Sequence, residues 1–244
     1  MVKLKSPRRE FFPVVEMTSA QWDYILMMAK DVLGRVEGLE ASIKERERVA
    51  LYWDEDDTIV GLIAIDLREE TFNGRKVVSI YTGNTWLHDK CRGMNLVPKL
   101  ALRCYVEALL RWPFHHHYWF FGSNSYRSYL TMTRNFALCY PQRETQAPKW
   151  ETAYIQYLAE AFYGAKINPE TFVYETSGGR SFKEYAGGVP DSLNGDLDIE
   201  YFLKINPGFS EGDKVMCLGP LTMGNWRKIG IRSLKRKFGV LQGF

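Results

Sequence analysis

Between Val77 and Phe136 an apolar extended run, a polar loop and a helical run are followed by a second strand and a short helix. The predicted elements are a strand over Val77–Leu87 (VVSIYTGNTWL), a loop over His88–Asn95 (HDKCRGMN), and a helix over Leu96–Arg111. A second strand follows over Tyr118–Ser123 (YWFFGS), then a helix over Tyr126–Asn135. A loop rich in backbone donors that opens a helix just after a buried strand is a place where proteins hold phosphate.

The flanking sequence is readable in the same way. Phe11–Met17 reads as a first strand, with Pro13 suggesting an edge. Thr18 and Gln21 form a capping-box pattern before a helical run of Trp22, Ile25, Leu26, Ala29, Val32 and Leu33 that stops at Gly34. A shorter helix is expected over Leu39–Glu47. Arg48–Trp53 and Thr58–Leu67 flank an acidic turn and read as antiparallel strands. Asn73–Gly74 tolerates positive φ and joins the second of them to Val77–Leu87. Beyond Pro141 come a helix over Trp150–Tyr163, a strand over Thr171–Glu175 and a Gly/Ser-rich loop over Ser177–Gly195 that is long enough to act as a lid. Ile199–Ile205 reads as helix or strand, Lys214–Leu218 as a strand and Asn225–Phe238 as a basic helix.

Composition removes several classes. A net charge of +3 is too small for a nucleic-acid binder. The basic cluster Arg227, Lys228, Arg232, Lys235, Arg236 and Lys237 is a solvated face, or a dock for an acidic partner or an anionic membrane. Seven Trp, fourteen Tyr and fourteen Phe make either an aromatic core or a ring-lined pocket. Cys91, Cys104, Cys139 and Cys217 form no CxxC pair, which argues against zinc and dithiol chemistry and for free thiols. No apolar run approaches a membrane span, and the N-terminus has no secretory h-region, so a cytoplasmic protein without a transmembrane segment is expected. His115 and His117 share one face of an extended chain, but no carboxylate or cysteine stands at short range in sequence to complete a metal site, so no metal is expected.

The element order (strand, two helices, three antiparallel strands, phosphate-type loop, helix, strand, helix) resembles the GNAT superfamily of N-acyltransferases over roughly residues 11–140. That family's loop, Arg/Gln-x-x-Gly-x-Gly/Ala, matches Arg92-Gly93-Met94-Asn95-Leu96-Val97, with Asn95 and Val97 in place of the later glycines. A second match is Asn124 after the second strand. The family's Leu-Tyr-x-x-x-Gly-Phe falls on Leu130-Thr131-Met132-Thr133-Arg134-Asn135-Phe136. The resemblance implies an α/β (α+β) fold with a mixed, mostly antiparallel central sheet flanked by helices. A core over 1–145 is expected, with 146–244, which carries no recognised motif, as an extension packing on that core and shaping the acceptor pocket.

The implied activity moves an acyl group from a thioester to an amine acceptor: a small molecule, a peptide or a protein. The donor is acyl-CoA, or in a rival reading an acyl carrier protein, an acidic partner that would suit the basic residues. A third reading is a non-catalytic GNAT-like module. Donor-binding residues carried over from the family are Leu87, Arg92, Gly93, Met94, Asn95, Leu96, Val97 and Asn124. Thr131 replaces the family's acid tyrosine and is far too weak an acid, leaving Tyr126 and Tyr129 as alternatives. Candidate bases are His88, Asp89 and Glu69. His88 titrates in the useful range and lies at the strand end, where a surface loop histidine is the alternative reading. Cys91, beside Arg92, is read as an inert thiol.

Overall fold

A computed structural model describes residues 6–91, 93–176, 179–180, 183, 189, 193 and 195–237. The elements are β1 (Arg8–Pro13), α1 (Ser19–Val32), α2 (Leu39–Lys44), β2 (Arg48–Trp53), β3 (Ile59–Phe72), β4 (Arg75–Leu87), α3 (Leu96–Arg111), β5 (His116–Ser123), α4 (Tyr126–Thr133), α5 (Lys149–Tyr163), β6 (Val173–Tyr174), α6 (Leu197–Ile205), β7 (Lys214–Pro220) and α7 (Met223–Lys237). They build one seven-stranded sheet in the order β1-β2-β3-β4-β5-β7-β6. Every neighbouring pair is antiparallel except β4 and β5. This is the mixed, mostly antiparallel sheet that the sequence resemblance implied.

Local chemistry sets the element ends. The Thr18–Gln21 capping box forms at the start of α1. Asn73 and Gly74 take φ of 44° and 77° in the β3–β4 hairpin. Phe11–Met17 is not one strand: the pairing of β1 ends at Pro13, and Val14–Glu16 turn as a single 3-10 helix. Both faces of the sheet are covered, so its central strands are buried in runs rather than in alternation. α3 lays Leu100, Ala101, Cys104 and Ala108 against Val78, Ile80, Ile63 and Ile65. On the opposite face α1 packs Trp22, Ile25 and Ala29 on Val49, Leu51 and Trp86. Beside it α5 packs Tyr154, Leu158 and Phe162 on Tyr81 and Phe120. Most aromatic rings are spent in this core, with Tyr81 and Phe162 stacked at 4.5 Å.

The region after 145 does more than pack on the core. β7 is a full sheet member, registered against β5 from Tyr118–Pro220 to Ser123–Val215. α7 does more than offer a solvated basic face. Lys228 donates to the carbonyls of Thr133 (3.3 Å) and Phe136 (2.6 Å), and Arg232 to that of Arg134 (3.0 Å), so both cap the C-terminal end of α4. The side chains of Lys235, Arg236 and Lys237 lie outside the described residues, as does most of the Ser177–Gly195 loop. Among the described residues no helix is long and apolar enough to cross a membrane.

One feature of the sheet positions everything that follows. The parallel ladder runs from Val77–His116 to Tyr81–Phe120 and stops there, although β4 continues to Leu87 and β5 to Ser123. The two strands then diverge. The amide of Gly122, left without a ladder partner on β4, donates instead to the hydroxyl of Tyr163 at 2.9 Å. A Cβ on Gly122 would stand 2.7 Å from that oxygen, so only glycine lets the phenol in so close. Tyr163→Phe removes the acceptor and should lower stability by about 1–3 kcal/mol, the cost of orphaning a buried donor. A chemical-denaturation midpoint measures it.

Candidate functional site

The divergence of β4 and β5 opens a cavity of about 150 Å³. Its walls are the backbone and side chains of Thr82–Trp86 on β4, Phe121, Gly122 and Asn124 after the split, and Tyr163, Arg180 and Lys214 from the C-terminal region. A second, wider groove of about 530 Å³ runs past the N-termini of α3 and α4. It is lined by Leu87, His88, Asp89, Gly93, Asn95, Leu96 and Val97 on one side and by Arg127, Leu130 and Arg134 on the other. The two spaces share Thr85, Val97, Ser125, Ser128 and Thr131, so they meet at the mouth of the split. Ligands of open α/β sheets collect at such a place, beyond the carboxyl ends of diverging strands.

The groove carries most of the donor-binding positions read from sequence. Gly93 (φ 77°) and Asn95 (φ 54°) are left-handed, so Asn95 does supply the backbone geometry of the glycine it replaces. Pro98, third in α3, has no N–H, so the first-turn amides are those of Leu96 and Val97. Val97 projects to the junction of the two cavities. Met94 packs against the core and does not line the groove. Asn124 lines the inner cavity, not the groove; its amide donates to the Arg180 carbonyl at 2.7 Å. Arg92 lies outside the described residues.

The acid and base candidates fare differently. Tyr129 is buried in the core, donates to the Pro141 carbonyl at 3.3 Å and has its pKa driven far up by burial. Tyr126 is also fully buried, and neither ring lines the cleft, so the structure removes both from the acid role. Glu69 is removed as a base, because it pairs with His115 at 3.0 Å near the opposite end of β4, where its own strand partner is Val78. His88 and Asp89 line the groove but not the inner cavity, and the His88 Nδ1 accepts from the Lys90 amide at 3.1 Å. Cys91 is buried with its pKa raised to about 11, chiefly by burial, which fits an inert thiol. Among the described residues no group of His, Cys, Asp and Glu is arranged to hold a metal.

Sequence reading missed the polar wall of the inner cavity. A bulge in β4, opposite Leu62–Ala64, puts Asn84 at φ 46°. The Asn84 amide donates to the hydroxyl (3.0 Å) and carbonyl (3.2 Å) of Ser42, and its oxygen accepts from the Arg180 guanidinium at 3.2 Å. Lys214, the first residue of β7, holds its ammonium 5.1 Å from the Tyr163 ring centre. Burial, and next the charge of Arg180, lower its pKa to about 8. The one hint in the sequence was the β4 asparagine, which tolerates left-handed backbone; nothing marked Arg180 or Lys214.

No family model matches this chain, and no curated protein does. Solved structures that match include a probable N-acyltransferase of unknown function from Enterococcus faecalis V583 (TM-score 0.36, 10% identity, 54% of this chain and 33% of that one). An acyl-CoA N-acyltransferase from Pseudomonas aeruginosa matches with a TM-score of 0.34 and 15% identity over 48% of this chain and 80% of that one. Arabidopsis thaliana Naa50 in complex with the bisubstrate analogue CoA-Ac-MVNAL matches with a TM-score of 0.33 and 13% identity over 58% and 93%. This chain therefore spans about a third of the length of the Enterococcus protein. Overlaps and identities this low carry no functional argument. By its own strand order the chain has a mixed, mostly antiparallel sheet with one parallel pair that splits.

Lys214 makes a prediction of definite sign. Its folded-state pKa is depressed, so between pH 8 and the roughly 10.4 of a free lysine the unfolded chain binds the extra proton. The burial penalty is fully present below pH 8 and is relieved as pH rises through that window. Lys214→Met should therefore raise Tm at pH 7, and its advantage over wild type should shrink from pH 8 to 10. Paired thermal melts across that range measure both.

Proposed function

We propose that this protein is an N-acyltransferase that takes its acyl group from acyl-CoA. The observation that carries the reading is the meeting of the α3/α4 groove with the cavity between the diverging strands, at Thr85, Val97, Ser125, Ser128 and Thr131. A donor lying along the groove delivers its carbonyl to that point, and an amine enters from the inner cavity. The left-handed Gly93 and Asn95, the amides of Leu96 and Val97 and the nearby Arg127 suit a pyrophosphate. Arg92, on the same loop, and Leu87 complete this donor side in the proposal.

The thioester supplies an activated carbonyl. The amine nitrogen forms the C–N bond, the C–S bond breaks, the thiolate leaves and takes up a proton, and the amine releases one. Backbone amides of β4 beyond Tyr81, freed from pairing with β5, stabilise negative charge on the carbonyl oxygen. Among the described residues no tyrosine lines the groove, so in this reading solvent reached through it is the proton source for the thiolate. In this reading His88, which lines the groove, relays the amine proton through water.

The test is a thermal-shift and turnover panel with CoA, acetyl-CoA and a long-chain acyl-CoA. A donor at about 100 times its dissociation constant should add roughly 2.7 kcal/mol of stability. Free thiol should appear only when an amine is added. A donor shift without thiol release for any amine would instead indicate a binding module. No shift with any of the three removes free acyl-CoA as donor. Thr131→Trp is a further check. Its hydroxyl bonds only within its own helix, to Arg127 at 3.0 Å, and a large ring there closes the passage. Turnover should fall by about a hundredfold, an interruption of the near-attack geometry, while Tm stays within a few degrees of wild type.

A further inference from the structure

Beyond the inner cavity lies an outer one of about 520 Å³, lined by Arg35, Glu37, Tyr174, Thr176, Gly179, Arg180 and Lys214. Arg180 and Lys214 line both, so they stand at the boundary between the two. Their position is costly. Two like charges are held close together and half-buried, and among the described residues no carboxylate lies within 4 Å of either. Asp213, beside Lys214 in sequence, accepts from the Thr176 amide at 2.6 Å and from its hydroxyl at 3.3 Å. Glu37 lines the outer cavity but is exposed. Neutral partners hold the pair in place. Asn84 accepts from the Arg180 guanidinium, Asn124 holds its carbonyl, and Lys214 faces the Tyr163 ring. Half-buried cations that line a cavity with no counter-ion among the described residues mark a place for an anion supplied from outside.

These cations are not part of the donor groove. Arg180 and Lys214 do not line it; they line the inner and outer cavities instead. An anion seated on them is therefore on the acceptor side. We infer that the acceptor is a compact amine bearing a carboxylate, which docks between Arg180 and Lys214 while its amine reaches through the inner cavity to the split between β4 and β5. This rests on the acyltransferase reading for the amine; the anion seat itself does not. An inner cavity of about 150 Å³ admits a short chain, not a folded protein surface, and a carboxylate matches the fork of a guanidinium.

The probes are matched pairs that differ only in the charge: glycine and glycinamide, β-alanine and β-alaninamide, 4-aminobutyrate and 4-aminobutanamide. In thermal melts without donor, at least one acid should raise Tm while its amide does not. Lys214→Met and Arg180→Gln should each abolish that shift, and Lys214→Arg should retain it. With acetyl-CoA as donor, the KM for the acid should be at least tenfold below that for its amide in wild type. The ratio should fall below threefold in either variant. Equal shifts for acid and amide, no shift with any acid, or a preference that survives both substitutions would overturn the inference. A carboxylate-dependent shift with no turnover would uphold the anion seat and count against the acyltransferase reading alone.

Discussion

The molecule is arranged around one broken ladder. A parallel pair of strands normally satisfies its inner amides and carbonyls along its whole length. Here β4 and β5 pair for five residues and then part, and the structure has to satisfy what is left over. Tyr163, at the end of α5, supplies the acceptor for Gly122. The Trp119 indole crosses the base of the gap to the Thr82 hydroxyl at 2.9 Å. Gly83 passes directly over the Tyr81 ring, where a Cβ would stand 2.0 Å from the phenol oxygen. These contacts hold the strands open, and the opening is what lets a groove on one side communicate with a cavity on the other.

The same region shows stability given up for a site. A lysine whose proton is loosened by burial, next to an arginine that burial also disfavours, weakens the fold at neutral pH. Core positions elsewhere follow the opposite rule. Arg46, a buried guanidinium, is paired with Asp66 at 3.4 Å and Glu45 at 2.9 Å, donates to the Phe162 carbonyl at 2.8 Å and lies over the Tyr81 and Phe162 rings. One buried cation is fully accommodated and structural; two others are left facing a cavity. That contrast, within one protein, separates packing from binding.

Departures from the familiar loop pattern also have local consequences. Asn95 keeps the left-handed turn that opens α3, whereas Val97 puts a branched side chain at the junction, and Pro98 removes one of the amides a phosphate would use. The basic helix at the C-terminal end contributes indirectly: Lys228 and Arg232 cap α4, and α4 forms the groove's second wall.

What the sequence determined by itself was local. The capping box at Thr18, the Asn73–Gly74 hairpin, the limits of α3 and the left-handed Asn95 depend on residues within a few positions of one another. Their order was enough to indicate a mixed, mostly antiparallel sheet. Tertiary structure decided the rest, because its interactions join distant segments. Asn84 meets Arg180 across 96 residues, and Tyr163 meets Gly122 across 41. Tyr126 and Tyr129 stand near Thr131 in sequence but are turned into the core by the amphipathic face of α4, while Lys214 comes to the cavity only because β7 inserts beside β5. Periodicity and caps are written in neighbours; a site's charge is set by which remote strands the packed sheet brings together.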